Sequence, residues 1–392
     1  MKNELINKIS VYLLMLLQYL LTLKQQITKP LYTIVIILHM FFFSAVQAEQ
    51  HKNIVGVLLP TTGQNEEIGN IVKKSVIMAT YKFAPPNVVV RFYNTQSKKS
   101  GAIQAYSQAL KDKAKIIVGP ISSKNTNAIR SKQTYGIPIL SLSNNTDSAS
   151  SGVFTTGYSP QSQGAGIVRI IEYLKRERVI AIIPRNTFGS LFESGLSQAE
   201  WGTIKNVYYY DPDNYDYSKL VKTIVADREY YNYDAIILPD SNPKNIRILS
   251  SQLSYYDAFN LIEKEKDKKI FLIGGLGWDK IGETHKEPGL LNGYYLAHPK
   301  SKNRTKFNEE YKKLYGFIPP YIANLAYDIT ALAIISATTP NPQQKLMQEQ
   351  GYKGISGTFK MSSYGNVERI YDIKKVFRDR TKKILQVKTN SR

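Results

Sequence analysis

The chain has 392 residues, 43% hydrophobic and 21% charged, a globular composition that excludes a disordered chain and a many-span membrane protein. Lys and Arg number 52 against 31 Asp and Glu, for a net charge of +21, but the basic residues are scattered and back no recognition motif, so nucleic acid is not an expected partner. Cysteine is absent, which excludes disulfides, thiolate metal sites, cysteine nucleophiles and an N-terminal lipidated cysteine.

Residues 11–23 and 31–46 are apolar blocks separated by Lys24, Lys29 and Pro30. Each is shorter than the roughly 18 residues that a spanning helix needs. The second block has the form of a secretory h-region, preceded by lysines and followed by the small residues Ser44, Ala45 and Ala48. Residues 1–48 are therefore expected to be a signal segment cleaved after Ala48, giving a periplasmic protein; an uncleaved N-terminal membrane anchor is the alternative.

Residues 54–59 form a short apolar run closed by Pro60, the signature of a buried parallel strand. Thr61, Thr62 and Gly63 make a turn, Asn65 is a candidate N-cap, and Glu66 and Glu67 open a helix whose buried face carries Ile68, Ile71, Val72, Ser75, Val76 and Ala79. Strands follow at residues 88–93, 116–118 and 137–142, alternating with helical stretches. Three of these strands end in hydroxyl or amide clusters: Thr61 and Thr62; Ser122 and Ser123; Asn144, Asn145 and Thr146. In an open parallel sheet such ends lie along one edge, where ligands bind, and the set is neutral and donor-rich, suited to a small polar or carboxylate ligand. Helix capping is the alternative role for each loop taken singly.

Residues 153–155 leave this first lobe, and the α/β rhythm restarts with strands at 179–183, 207–210, 235–238 and 270–273. Residues 291–297 carry the chain back to helices at 307–314 and 322–336. Residues 355–359 and 367–376 read as strands, and the Lys- and Arg-rich end reads as a solvated tail. The expected fold class is α/β: two doubly wound parallel-sheet lobes joined by a hinge of several crossovers. The expected domains are a signal segment at 1–48, a first lobe from 52–155 plus 298–350, a second lobe from 156–297 plus 351–378, and a basic tail at 379–392.

The stretches VGVLLPTTG, IIVGPISS, PILSLSNN, YDAIILPDS and LAYDITALA, set in two α/β lobes, resemble type I periplasmic binding proteins of the leucine-binding kind. Within that superfamily PILSLSNN, LIGGLGWDK, LAYDITALA and GISGTFKMSSYGNVERIYDI look most like penicillin-binding protein activators. The resemblance runs from Asn53 to Val376. It implies that Ser122 and Ser123 hold a ligand carboxylate, that Asn144, Asn145 and Thr146 line the same site, and that Tyr158 is the aromatic beyond the first crossover. Asp240 is the best-placed acid for a ligand ammonium, with helix capping as its alternative, and Asp328 suits the lobe interface. Asn144 and Asn145 depart from the small residues that amino-acid binders favour there.

No GxSxG elbow, GxxxxGK[ST] loop or complete GxGxxG is present, and His39, His51, His285 and His298 have no metal-site spacing. An enzyme, a metal and a cofactor are not expected. The sequence points to an exported, non-enzymatic two-lobed protein that regulates peptidoglycan synthesis through a penicillin-binding protein. The alternative is the solute receptor of an ABC permease, for amino acids or similar small carboxylates.

Overall fold

The computed structural model describes residue 15 and residues 52–133, 136–259 and 270–389. The expected signal segment, Met15 apart, and its expected cleavage point lie outside the described residues. From Asn53 onward the chain is one compact unit.

The apolar run closed by Pro60 is strand β1 (Asn53–Leu59), buried throughout. It is followed by helix α1 (Glu66–Phe83), β2 (Val88–Asn94), α2 (Lys99–Lys111), β3 (Ala114–Val118), α3 (Ser123–Arg130), β4 (Ile139–Ser141) and β5 (Val153–Thr155). The sheet order is β2-β1-β3-β4-β5, parallel throughout. All its strand ends therefore lie on one edge, which is what the hydroxyl clusters require.

The start of α1 depends on one missing side chain. Residue 69 packs against the turn after β1 so closely that a Cβ there would stand 1.9 Å from the Pro60 carbonyl oxygen. Helix propensity alone favours Gly→Ala by up to about 1 kcal/mol in a helix interior. Overpacking should reverse that sign: Gly69→Ala is expected to destabilise by about 1–3 kcal/mol, read as a lower urea midpoint at unchanged m-value. A neutral or stabilising result would mean that α1 is free to shift.

The second lobe repeats the scheme with α4 (Pro160–Leu174), β6 (Val179–Pro184), α5 (Thr187–Leu196), β7 (Ile204–Tyr210), α6 (Ser218–Ala226), α7 (Arg228–Tyr231), β8 (Ala235–Leu238), α8 (Pro243–Tyr255), β9 (Phe271–Gly274) and β10 (Tyr294–Ala297). The chain then returns through α9 (Lys302–Tyr315), α10 (Tyr321–Ala337) and α11 (Pro342–Leu346). It closes with β11 (Tyr352–Gly354), β12 (Gly357–Met361), β13 (Val367–Val376) and β14 (Thr381–Thr389). The second sheet runs β11-β12-β13-β10-β9-β8-β6-β7, with β14 also paired to β13. Its β6 to β10 are parallel, and β11 to β14 add antiparallel pairs. Helix α10 is apolar on almost every face because it is buried in the first-lobe core, with Leu325, Ile329 and Leu332 beside residues of β1 and β3.

Three expectations about the closing segment are corrected. Residues 355–359 are not one strand: the chain breaks at Ile355 and Ser356, whose N–H groups go to the Asp328 carboxylate instead of a sheet partner. Nor do residues 351–378 belong cleanly to the second lobe. They pair with its sheet, yet Phe359, Met361 and Val367 are packed into the first-lobe core. The basic tail is largely a strand, with β14 paired antiparallel along β13. A register shift opposite Ile373 and Lys374 spoils its two-residue alternation, so Ile384, Leu385 and Val387 all reach the second-lobe core. Salt bridges from Lys383 to Asp372 (2.8 Å) and from Lys388 to Glu368 (2.9 Å) take up part of its charge.

Candidate functional site

The strand-end edge of the first sheet is a set of loops braced by buried hydroxyls. Thr61 N–H donates to the Asn94 side-chain oxygen (3.1 Å), and the Asn94 amide donates to Thr62 Oγ1 (2.9 Å), joining the loops after β1 and β2. Ser97 Oγ accepts from Asn65 N–H, so Asn65 begins α1 without capping it by its own side chain. Under the next two loops lies Ser141, fully buried, whose Oγ is 2.7 Å from Thr126 Oγ1, donates to the Pro120 carbonyl and accepts from Ser143 N–H. Thr156 Oγ1 donates to the Ser141 carbonyl (2.8 Å). The sequence reading passed over this under-layer, although Ser141 and Ser143 stand beside the residues it chose.

Ser122 caps α3, accepting from Asn125 N–H at 3.3 Å, and Asn145 accepts from Asp147 N–H at 2.9 Å. Capping therefore describes both, and capping fixes where their remaining polar groups point. Among the described residues the Ser123 and Thr146 hydroxyls and the Asn144 amide have no side-chain partner, and Asn144 is exposed. Gly157 allows the last loop to close up, since a Cβ there would meet Asn144 Cβ at 2.7 Å. The seven first-lobe positions thus share one sheet edge, with free hydroxyl and amide groups and no acidic side chain among them.

The two remaining candidates go elsewhere. Asp240, 2% exposed, accepts from Tyr210 Oη, from Asn245 Nδ2 (2.8 Å) and from Asn242 N–H (2.7 Å). Its carboxylate is spent inside the second lobe, at the start of α8, and is not presented to a ligand ammonium. Its partner Tyr210 is pushed far above the ordinary phenol range by burial and by that carboxylate. Tyr158 is buried in the crossovers: its Oη donates to the Ser356 carbonyl (3.0 Å), and its ring meets His298, Tyr321 and Tyr371 edge-on.

Around Tyr158 the crossovers share one polar cluster. Arg369, 1% exposed, donates from Nε to the Thr156 carbonyl (3.1 Å), and a second bond runs from Nη2 to the same oxygen. Its guanidinium lies over the rings of Tyr158 (4.6 Å) and Phe359 (5.1 Å), and Nη1 reaches Ser356 Oγ at 3.5 Å. Ser356 Oγ donates to Asp328 (2.5 Å), which also accepts from Ile355 N–H (2.9 Å) and Ser356 N–H (2.7 Å). Burial raises the Asp328 pKa, opposed by those three donors and by Arg369. Asp328 therefore holds the last crossover, close to the lobe-interface role its helix position suggested. Arg369 could not be chosen from sequence, because its partners lie far away along the chain.

A second charged group flanks the return crossover. Asp279 accepts from Lys374 Nζ (2.7 Å) and lies 3.3 Å from His298 Nδ1, while His298 stacks on Tyr321. Burial pushes His298 below the ordinary imidazole range, against the pull of Asp279 and with help from Arg304 and Arg369. Burial also opposes the Asp279 charge, but His298 and Lys374 outweigh it and hold that carboxyl well below its usual range. Below about pH 6.5 the unfolded chain takes up a proton at His298 that the folded chain resists, so stability should fall with pH there, and Asp279 adds its own loss only below about pH 4. Asp328, raised by burial, acts in the opposite sense. His298→Gln should therefore flatten the change in urea midpoint between about pH 7.5 and about pH 5.5. An unchanged slope would place the proton uptake at another group.

Two open α/β lobes, a donor-lined strand-end edge on the first and crossovers tied by one buried cluster make the architecture of a two-lobed binding protein. The chain belongs to the periplasmic binding protein family, whose model matches residues 54–366. That family consists of solute-binding, non-enzymatic proteins that work outside the cytoplasm. No curated protein matches the chain. Among solved structures it is similar to the leucine-binding protein LivK of Thermotoga maritima, at 18% identity over 86% of this chain and 98% of that one, with a TM-score of 0.56. It is similar to LivJ of Streptococcus pneumoniae in complex with isoleucine, at 15% identity over 86% and 99%, with a TM-score of 0.60. It is also similar to an ABC-transporter solute-binding protein of R. palustris in complex with benzoate, at 12% identity over 86% and 96%, with a TM-score of 0.56. At these identities the likeness is one of fold.

Proposed function

We propose that the chain is the exported solute receptor of an ABC transporter, and that its solute is a small carboxylate held by the first-lobe strand ends. The observation that carries this reading is the composition of that edge: Ser123, Asn144 and Thr146 keep free polar groups beside the capping residues Ser122 and Asn145, and none of the seven positions is itself a carboxylate. Isoleucine and benzoate, the ligands of two structural neighbours, have the carboxylate in common and differ in the ammonium. Asp240 is spent within the fold, so an ammonium is not required of the solute by any acid the sequence singled out. Thr61 and Thr62 extend the site along the same edge.

The test is a thermal-shift panel on the full chain with free amino acids, aryl and alkyl carboxylates, short peptides and peptidoglycan fragments. A true solute at a hundredfold excess over its Kd should stabilise by about 2.7 kcal/mol. If no carboxylate moves the midpoint, the receptor reading fails.

A second reading, regulation of peptidoglycan synthesis by contact with a penicillin-binding protein, is favoured by one observation: Tyr158 and Asp240 are both consumed by packing, leaving the strand-end edge without the aromatic and the acid that the resemblance assigned to an amino-acid site. The stretches PILSLSNN and GISGTFKMSSYGNVERIYDI carry the likeness to that subfamily. Direct binding to a penicillin-binding protein without any small-molecule response would decide for it.

A further inference from the structure

Away from the strand-end edge, a cavity of about 490 Å³ opens between α1, α9, α10 and β11. Its walls include Phe83, Phe307, Tyr327, Leu332 and Phe359, and its volume is that of an ordinary small-molecule pocket. Four lysines line it as well: Lys82, Lys306 and Lys353 reach water, and Lys345 is half-buried. Two acids share the lining, and both are engaged. Glu310 stands 4.0 Å from Lys306, and Asp328 is filled by the donors of Ile355 and Ser356. Among the described residues Lys82, Lys345 and Lys353 have no ion-pair partner. A second cavity of about 480 Å³ shares Asn303, Lys353 and Gly354 with the first and adds Lys300 and Lys302, so the basic side of the pocket continues outward.

From this we infer that the cavity is a second ligand site, for an anionic amphiphile whose apolar body lies against Phe83, Ile335 and Tyr352, lining residues that keep exposed surface, and whose carboxylate lies among Lys82, Lys345 and Lys353. The argument is one of complementarity. Burying an alkyl or aryl body against those side chains is favourable in proportion to its area, whereas a cation of the same shape would meet uncompensated lysines. The site is chemically unlike the strand-end edge, which is polar and carries no lysine among its seven positions. It also touches the crossover residues Gly354 and Ile355, beside the carboxylate of Asp328.

The experiment is calorimetric titration of the full chain with octanoate, octanol and octylammonium. Octanoate should bind saturably, with octanol and octylammonium each about tenfold weaker or worse. Ala331→Trp, which puts an indole into the cavity, should abolish octanoate binding; because that variant could perturb folding, the exposed pair Lys82→Glu and Lys353→Glu is the second arm and should weaken octanoate while improving octylammonium. Ser122→Ala with Ser123→Ala should leave octanoate untouched, which separates this site from the strand-end site. Equal binding of octanoate and octylammonium, unaltered binding in both arms, or no saturable binding of octanoate would each overturn the assignment.

Discussion

Arg369→Ala should lower the unfolding free energy by about 3 kcal/mol, the upper range for losing charge-assisted hydrogen bonds and leaving a buried acceptor unsatisfied. At roughly 2–4 °C per kcal/mol for a large domain, Tm should fall by about 10 °C. The reason lies in what the guanidinium satisfies. Removing it leaves the Thr156 carbonyl without its two donors and takes the nearest positive charge away from Asp328, whose burial already works against ionisation. It also empties the space between the Tyr158 and Phe359 rings. Asp328→Ala should cost a similar amount, because Ile355 N–H, Ser356 N–H and Ser356 Oγ all lose their acceptor. Since the two residues meet through Ser356, the double variant should cost less than the sum. Urea unfolding of the four proteins checks this. A loss under about 0.5 kcal/mol for Arg369→Ala would show that the cluster is surface-like in its energetics, and strict additivity would remove the coupling through Ser356.

Ser122→Ala combined with Ser123→Ala should abolish the solute-induced stabilisation, removing a shift of about 2.7 kcal/mol at a solute concentration that is a hundredfold over the parent Kd. The substitution also removes the cap of α3, which should cost about 1 kcal/mol with or without solute. The two effects separate by measuring each variant against its own solute-free midpoint. Ser122→Gly provides the control, because glycine at an N-cap costs only a few tenths of a kcal/mol while deleting the same hydroxyl. If the double alanine variant responds to the solute as the parent does, the carboxylate is not held at the end of β3, and Asn144, Asn145 and Thr146 become the residues to change.

The order of strands and helices was readable from local pattern, because buried parallel strands are short apolar runs and their helices repeat at 3.6 residues. Thus residues 54–59 and the helix after Asn65 were found where they lie, and the polar strand ends could be grouped on one edge, since parallel pairing leaves no other place for them. The absence of cysteine and of catalytic motifs is likewise a property of sequence, and family membership agrees with the non-enzymatic reading it gave. What the chain order could not reveal is which polar groups spend their bonding capacity on each other. Tyr158, Asp240 and Arg369 are ordinary residues in sequence. Only folding brings Tyr158 to Ser356, Asp240 to Tyr210 and Arg369 to Thr156, across separations of 198, 30 and 213 residues, and a hydrogen bond formed at such a distance has no local signature. The strand β14 was hidden for a related reason, since a bulge shifts its alternation and lysines paired with Asp372 and Glu368 look, in sequence, like lysines in water. Sequence alone determined the architecture and the chemistry of the exposed strand ends, because both follow from periodicity and from residue type. The tertiary structure decided which polar residues are consumed in tying the crossovers and which keep unused bonding capacity, because that depends on partners that only long-range packing supplies.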